Sequence, residues 1–353
     1  MRNILEFFLG IVILAAVSFG FWFHISYDSS SNKPFNVNGE TKVFTVKSGQ
    51  GVKVVAKALK DDGLIKSDFF FQILASRSGQ EKNIKAGAYE LSAAMTAKEI
   101  LEKLSSGRVI NEEMEVTVIP GWTRRDVAAK VKEWGLGQES DLYSLAGEPF
   151  MECQKKSPSI KDYSKQFDFL ADKPSCRGLE GYLFPDTYRL YKSANTEDLV
   201  LKMLKNFDNK LTPQMREDIK KQGKTIYEIV TMASVVEKEV RSEEDMRIVA
   251  GIFWNRINSG QALQSCASLA YILGVNKAIY SIEDTQTDSP YNTYQNQGLP
   301  PGPISNPSLE AIKSAIYPEK TDYFYFLSRS DNGETVFAKT YDDHLRNKEK
   351  YLK

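Results

Sequence analysis

Residues 4–23, ILEFFLGIVILAAVSFGFWF, place the first constraint on this chain. An apolar run of about 20 residues is what a helix needs to cross the hydrocarbon core of a bilayer. Glu6 sits near its start, where a carboxylate still reaches the interface, and Trp22 and Phe23 mark the far side as aromatic belts do. A cleavable signal would carry a shorter apolar core and a small-x-small site, and none stands before HISYDSSSN. The expectation is a single-pass transmembrane helix over 4–24 in the cytoplasmic (inner) membrane. Arg2 and the terminal amine precede the span and Asp28 follows it, which puts residues 1–3 in the cytoplasm and the bulk of the chain on the periplasmic or extracytoplasmic side. The stretch SYDSSSNKPFNVNG reads as a flexible tether, giving a linker over 25–41.

Beyond the anchor, 353 residues suit two or three domains. With 42% hydrophobic and 26% charged residues, most of the chain should fold as globular protein. Lys+Arg and Asp+Glu both number 46, so there is no global electrostatic grip on nucleic acid. Only two histidines occur, and His24 adjoins the apolar run, which leaves His344 and argues against a His-based metal site or a Ser-His-Asp triad. Chemistry must rest on carboxylates, hydroxyls and amides. Three cysteines make no zinc motif, and in an oxidising compartment Cys153 and Cys176 could pair and leave Cys266 free.

KVFTVK alternates like a strand, GVKVVAKALKDDGLI and SDFFFQILASRSG read as helices, KAGAYELS as a strand and TAKEILEKLSSG as a helix capped by Thr96 and stopped by Gly107. That order predicts a small α+β module over 42–108. NEEMEVTVIPGW is the next strand, and Thr123 can cap the helix TRRDVAAKVKEWG. Residues 138–177 read as helix plus irregular loop. The rest, to 353, is mainly helical: four helical segments run in succession, Ser242 starts the last of them, Pro307 suits a first helical position, and SDNGE suggests a terminal β-hairpin.

Within the helix predicted over 226–240, a wheel puts Ile226, Ile229, Val230, Ala233, Val236 and Val240 on one face. Glu237 falls inside that face, whereas Glu239 points to the polar side with Glu228. A carboxylate on an apolar face must be paired, open to a cleft, or easily protonated, and a raised pKa suits a general acid. DSPYNTYQNQGLPPGPISNPS, residues 288–308, is too rich in Pro, Gly and Asn for a regular element and groups Tyr291, Asn292, Thr293 and Tyr294 on one loop. Flat phenol rings and amides suit a sugar, which offers apolar faces and hydroxyls.

These residues resemble the YceG-like endolytic murein transglycosylases. The likeness is carried in order by LEGYLFPDTY (179–188), MASVVEKEV (232–240), FWNRI (253–257), LQS (263–265), SPYNTY (289–294), GLPPGPISNP (298–307) and YFYFLSR (323–329). It implies a LysM-like module over 42–108 and a catalytic domain over 109–353. It further implies cleavage of the MurNAc-β-1,4-GlcNAc bond in nascent peptidoglycan strands, leaving 1,6-anhydro-MurNAc ends. Glu237 would be the general acid and base, with Gln264, Ser265, Tyr291, Asn292, Thr293 and Tyr294 on the substrate. No cofactor or metal is called for, and the expected partners are glycan strands, the membrane and peptidoglycan synthases. Glu180 and Asp186 read as cleft wall, and His344 as packing or a helix cap. The chain departs from the family pattern at Cys266 and Ala267, where Asp and Pro are usual, and at Thr335 in place of a His. The alternatives are a wall-binding scaffold without activity and a hydrolytic muramidase, the latter disfavoured because no second acid stands out.

Overall fold

The computed structural model describes residues 2–107, 113–149, 160–277 and 279–352. The chain is mixed α+β, with fourteen α-helices and three two-stranded sheets among the described residues. It forms two compact units, Met1–Met114 with Leu190–Ala194, and Glu115–Arg189 with Asn195–Lys353.

The first unit runs α1 (Arg2–Ser31), β1 (Thr41–Val46), α2 (Val52–Asp61), α3 (Asp68–Arg77), β2 (Gly87–Ser92) and α4 (Ala97–Ser106). Strands β1 and β2 pair antiparallel, Thr41 opposite Ser92. Phe44, Leu59, Phe71, Tyr89, Leu91, Ile100 and Leu104 form its core. Ser67 caps α3, and Thr96 with Glu99 closes a capping box on α4, which ends at Gly107 with φ 69°.

Helix α1 differs from expectation at both ends. It runs on to Ser31, so residues 25–31 of the expected tether are helical. They are held there by packing: Phe23 and Tyr27 meet Phe70 edge-on, and Lys66 Nζ donates to the Ser29 carbonyl at 3.0 Å. As for the span over 4–24, among the described residues no helix is long and apolar enough to cross a membrane.

The remaining elements are β3 (Glu113–Thr117), α5 (Arg124–Glu133), α6 (Glu139–Ala146), β4 (Thr187–Tyr191), α7 (Thr196–Lys210), α8 (Pro213–Lys221), α9 (Ile226–Glu239), α10 (Glu243–Asn258), α11 (Cys266–Leu273), α12 (Ile282–Thr285), α13 (Leu309–Ile316), β5 (Tyr325–Ser328), β6 (Thr335–Ala338) and α14 (Tyr341–Tyr351). β5 and β6 pair antiparallel, Tyr325 opposite Ala338. α13 starts at Leu309, two residues later than Pro307 suggested, because Ser308 takes the cap and accepts from the Ala311 N–H. Cys176 is disulfide-bonded and Cys266 is free and exposed; Cys153 lies outside the described residues.

Helix α9 organises the second unit. Every residue from Ile229 to Val236 is buried, including Thr231 and Ser234. Their hydroxyls are satisfied inside the fold: Thr231 Oγ1 donates to the Tyr227 carbonyl, and Ser234 Oγ donates to the Thr231 carbonyl and accepts from the Ile304 N–H. Asn306, fully buried, ties three segments together. Its Oδ1 accepts from the N–H groups of Gly181 and Leu183, each at 3.0 Å, and its Nδ2 donates to the Trp122 carbonyl at 2.9 Å. LEGYLFPDTY and GLPPGPISNP are thereby locked around one side of α9.

Candidate active site

The carboxyl end of α9 opens into a cleft of about 1010 Å³. Its walls are Ile119–Gly121, the residues 237–241, the first turn of α11, residues of the 276–285 segment, Tyr294 and the end of α14 at Lys348 and Leu352. Both Glu237 and Glu239 line it. The wheel had sent Glu239 to solvent. That expectation is corrected, for two reasons. From Ile229 to Val236 the helix is buried all round, so the wheel has no solvent side over that stretch from which to place Glu239. In addition, α9 stops at Glu239 and the chain turns extended at Val240 (φ −141°, ψ 162°), so the cleft wraps the helix end.

The two carboxylates have different surroundings. Glu237 Oε2 accepts from the Ser308 N–H at 2.9 Å and from Ser308 Oγ at 2.5 Å. Ser308 is the cap of α13, so Glu237 sits at the start of that helix, where unpaired N–H groups favour an anion. Burial pushes its pKa up, and the two Ser308 bonds pull it back. Glu239 Oε1 accepts from Ser265 Oγ, and the Ala267 N–H also holds the carboxylate. Burial raises its pKa, against Ser265, Ala267 and the field of Arg256. Both groups are therefore biased toward the protonated form.

Arg256, from FWNRI, fixes the loop beneath Glu239. Its Nε donates to the Phe324 carbonyl and its Nη1 to the Leu263 carbonyl, both at 2.7 Å. Gln264 then turns through φ 52°, an uncommon backbone state for a residue that is not glycine, and its N–H donates to the Thr293 carbonyl at 3.0 Å. Gln264 is exposed. Ser265 is buried, with its N–H on Thr293 Oγ1 at 3.0 Å and its hydroxyl on Glu239.

The SPYNTY loop divides in the same way. Tyr294 lines the cleft, with its hydroxyl 3.1 Å from Cys266 Sγ. Asn292 and Thr293 are buried, Asn292 Nδ2 donating to the carbonyls of Thr285 and Thr287 and Thr293 Oγ1 bonded to Ser268 Oγ at 2.9 Å. Tyr291 is buried against Tyr271, and its hydroxyl accepts from Arg177. Of the residues singled out in the sequence, Glu237 and Tyr294 thus line the cleft; Ser265, Asn292 and Thr293 are buried in the bonds that hold its loops, Tyr291 packs on Tyr271, and exposed Gln264 is not part of the lining. The wheel puts Glu239 on the polar side, whereas it lines the cleft. The signal for it was Ser242: a cap for the next helix obliges α9 to end just before, which voids a wheel argument at its last residue.

Glu180 is not a second acid of this cleft. It is buried against Arg124, whose Nε lies 3.3 Å from Oε2 and whose N–H donates to Oε1. Asp186 is exposed and accepts from Asn206 Nδ2. His344 stacks on Tyr325 at 5.5 Å, and burial lowers its pKa. Among the described residues no cluster of His, Cys, Asp and Glu could hold a metal ion.

Comparison with known proteins matches the YceG-like family model over residues 44–350. The chain is 33% identical over 329 residues to the endolytic murein transglycosylase of Bacillus subtilis, covering 92% of this chain and 89% of that protein. It is 33% identical over 355 residues to the endolytic murein transglycosylase of Streptococcus pneumoniae strain D39, covering 96% of this chain but 63% of the longer pneumococcal protein. A crystal structure of a yceG-like protein from Listeria monocytogenes superposes with a TM-score of 0.57 at 29% identity, covering 88% of this chain and 99% of that one.

Proposed function

We propose, from the premise that the chain belongs to the YceG-like family, that it is a membrane-anchored endolytic peptidoglycan lytic transglycosylase. It cuts the β-1,4 bond between N-acetylmuramic acid and N-acetylglucosamine within nascent strands. The observation that carries this reading is a pair of half-buried carboxylates that line one cleft of about 1010 Å³ at the end of α9.

Each carboxylate accepts one hydroxyl and one backbone N–H, Glu239 from Ser265 and Ala267 and Glu237 from Ser308 alone. We place the acid first at Glu239 because it shares its corner with Tyr294, whose ring lines the cleft beside Cys266. Protonated Glu239 gives its proton to the glycosidic oxygen as the bond to C1 of the muramic acid breaks. The C6 hydroxyl of the same sugar then attacks C1, and the Glu239 carboxylate takes that proton back. The product is a 1,6-anhydro ring, no water is consumed, and the enzyme is regenerated. Two-carboxylate hydrolysis is not needed, because the nucleophile belongs to the substrate. Tyr294 and exposed Gln264 orient the sugar and its N-acetyl group, while Ser265, Tyr291, Asn292 and Thr293 hold that wall rigid. A second reading gives the acid role to Glu237, since it lines the same cleft and burial raises its pKa too.

The apolar run at 4–23 anchors the chain in the cytoplasmic membrane with the enzyme outside, where new strands emerge beside their synthases. Exposure of Leu14, Val17, Phe19, Phe21 and Trp22 on α1 supports this. The 42–108 module is LysM-like.

The test is mass spectrometry of products from uncross-linked strands. Anhydro ends made by the unaltered protein and by Glu237→Gln, but not by Glu239→Gln, are expected. The reverse pattern moves the role to Glu237. No cleavage by the unaltered protein points to a wall-binding scaffold, and reducing ends to a hydrolase.

A further inference from the structure

The charge around the cleft is lopsided. Its lining holds two carboxylates, Glu237 and Glu239, and four cations, Lys238, Arg241, Lys277 and Lys348. Lys277 is spent on Asp284, with Nζ 2.7 Å from Oδ1. Lys238, Arg241 and Lys348 are exposed, and among the described residues none has a carboxylate within ion-pair distance. Lys238 touches only a carbonyl, that of Gly121 at 3.3 Å, and its field reaches Glu237. The excess is local, because Lys+Arg and Asp+Glu balance at 46 each over the whole chain. The three cations come from separate places: the last turn of α9, the link into α10, and the last turn of α14. Cations with no carboxylate partner that converge on one concave wall are what a cleft for an anionic polymer presents.

We infer that Lys238, Arg241 and Lys348 take the carboxylates of acidic peptides borne on the glycan, so that the cleft selects strands that still carry their stems. This deepens the glycan reading and rests on it. The sugar backbone itself is uncharged once each lactyl group is closed as an amide, so the only carboxylates such a strand offers are those of its peptides. The cationic rim then reads the substituent, while the carboxylates of α9 act on the backbone beneath. Exposed pairs of this kind contribute modestly, roughly 2- to 5-fold each in affinity, and are screened by salt.

The probe is a fluorescent uncross-linked strand with free stem carboxylates, beside the same strand with those carboxylates capped by carbodiimide coupling to methylamine. Binding to the full-length protein in detergent is read by anisotropy, and products are read in parallel by mass spectrometry. The unaltered protein should bind the free-carboxylate strand about 10-fold more tightly, with the preference fading as salt rises. Arg241→Gln with Lys348→Gln should lose most of that preference, and Arg241→Lys with Lys348→Arg should keep it. Equal binding of the two strands, or a loss in the double Gln variant that persists on the capped strand, overturns the proposal. A charge preference without anhydro products would overturn the transglycosylase reading and leave the rim standing. Anhydro products without a charge preference would do the opposite.

Discussion

A proton held at the end of α9 should be visible in the pH dependence of the reaction. An acid must start protonated, so kcat/KM falls as pH rises through its folded pKa. Burial raises that pKa for both Glu237 and Glu239, and hydroxyl donors lower it. Ser265 donates to Glu239 and Ser308 to Glu237, so the two can be separated. Ser265→Ala removes a bond that favours ionised Glu239, and the alkaline limb of kcat/KM should move up. Ser308→Ala should leave that limb where it is, and a shift in that variant alone would identify Glu237 as the acid. The same raised pKa sets a sign for stability. A folded carboxyl that holds its proton more tightly than in the unfolded chain contributes stability below the unfolded pKa and loses it as pH rises through the folded one. Glu239→Gln should therefore gain melting temperature relative to the unaltered protein above that window and little below it, as thermal unfolding at several pH values would reveal.

The elements show what local sequence could carry and what it could not. Capped, amphipathic helices such as α4 and α5 follow their signals, because Thr96 and Thr123 make the bonds their spacing implies. The end of α9 did not, because a wheel assumes a solvent side and this helix has none from Ile229 to Val236. Strand β4 and helix α11 were also passed over. The first follows the turn at Pro185 in LEGYLFPDTY, and the second is a short run whose position depends on Arg256 holding the preceding loop. The site was legible in part: Glu237 and Tyr294 were found from residue chemistry, whereas Glu239 and the cationic rim depend on chain ends meeting in space. Non-local meetings of this kind rest on Asn306 and Gly181. Gly181 has φ +87°, and a Cβ there would come within 2.6 Å of Pro303. Gly181→Ala and Asn306→Ala should each cost about 2–4 kcal/mol, the first through strain and overlap, the second by leaving the Gly181 and Leu183 N–H groups buried without acceptors. Urea unfolding would measure both, and a loss below about 0.5 kcal/mol for Asn306→Ala would show that the segments dock without it.

At the scale of the whole molecule, the membrane task proposed for α1 can be pulled apart from its packing. Its outer part exposes Leu14, Val17, Phe21 and Trp22, which suits a lipid surroundings. Its last turns are part of the first unit, through Phe23 and Tyr27 on Phe70, Arg77 over the Tyr27 ring at 5.5 Å, and Lys66 on Ser29. A chain begun at residue 20 should lose its hold on lipid vesicles yet keep these contacts. One begun at residue 33 should lose both, and burial of one aromatic side chain corresponds to about 1.5–3 kcal/mol. Vesicle flotation of the full chain and the two shortened forms separates the membrane task, and hydrogen exchange at α3 separates the packing task. Faster exchange at Phe70 and Phe71 only in the form begun at 33 is the expected result. Equal protection in both shortened forms would mean that the last turns of α1 lie on the module without stabilising it. Vesicle binding by the form begun at 20 would move the anchor out of residues 4–23.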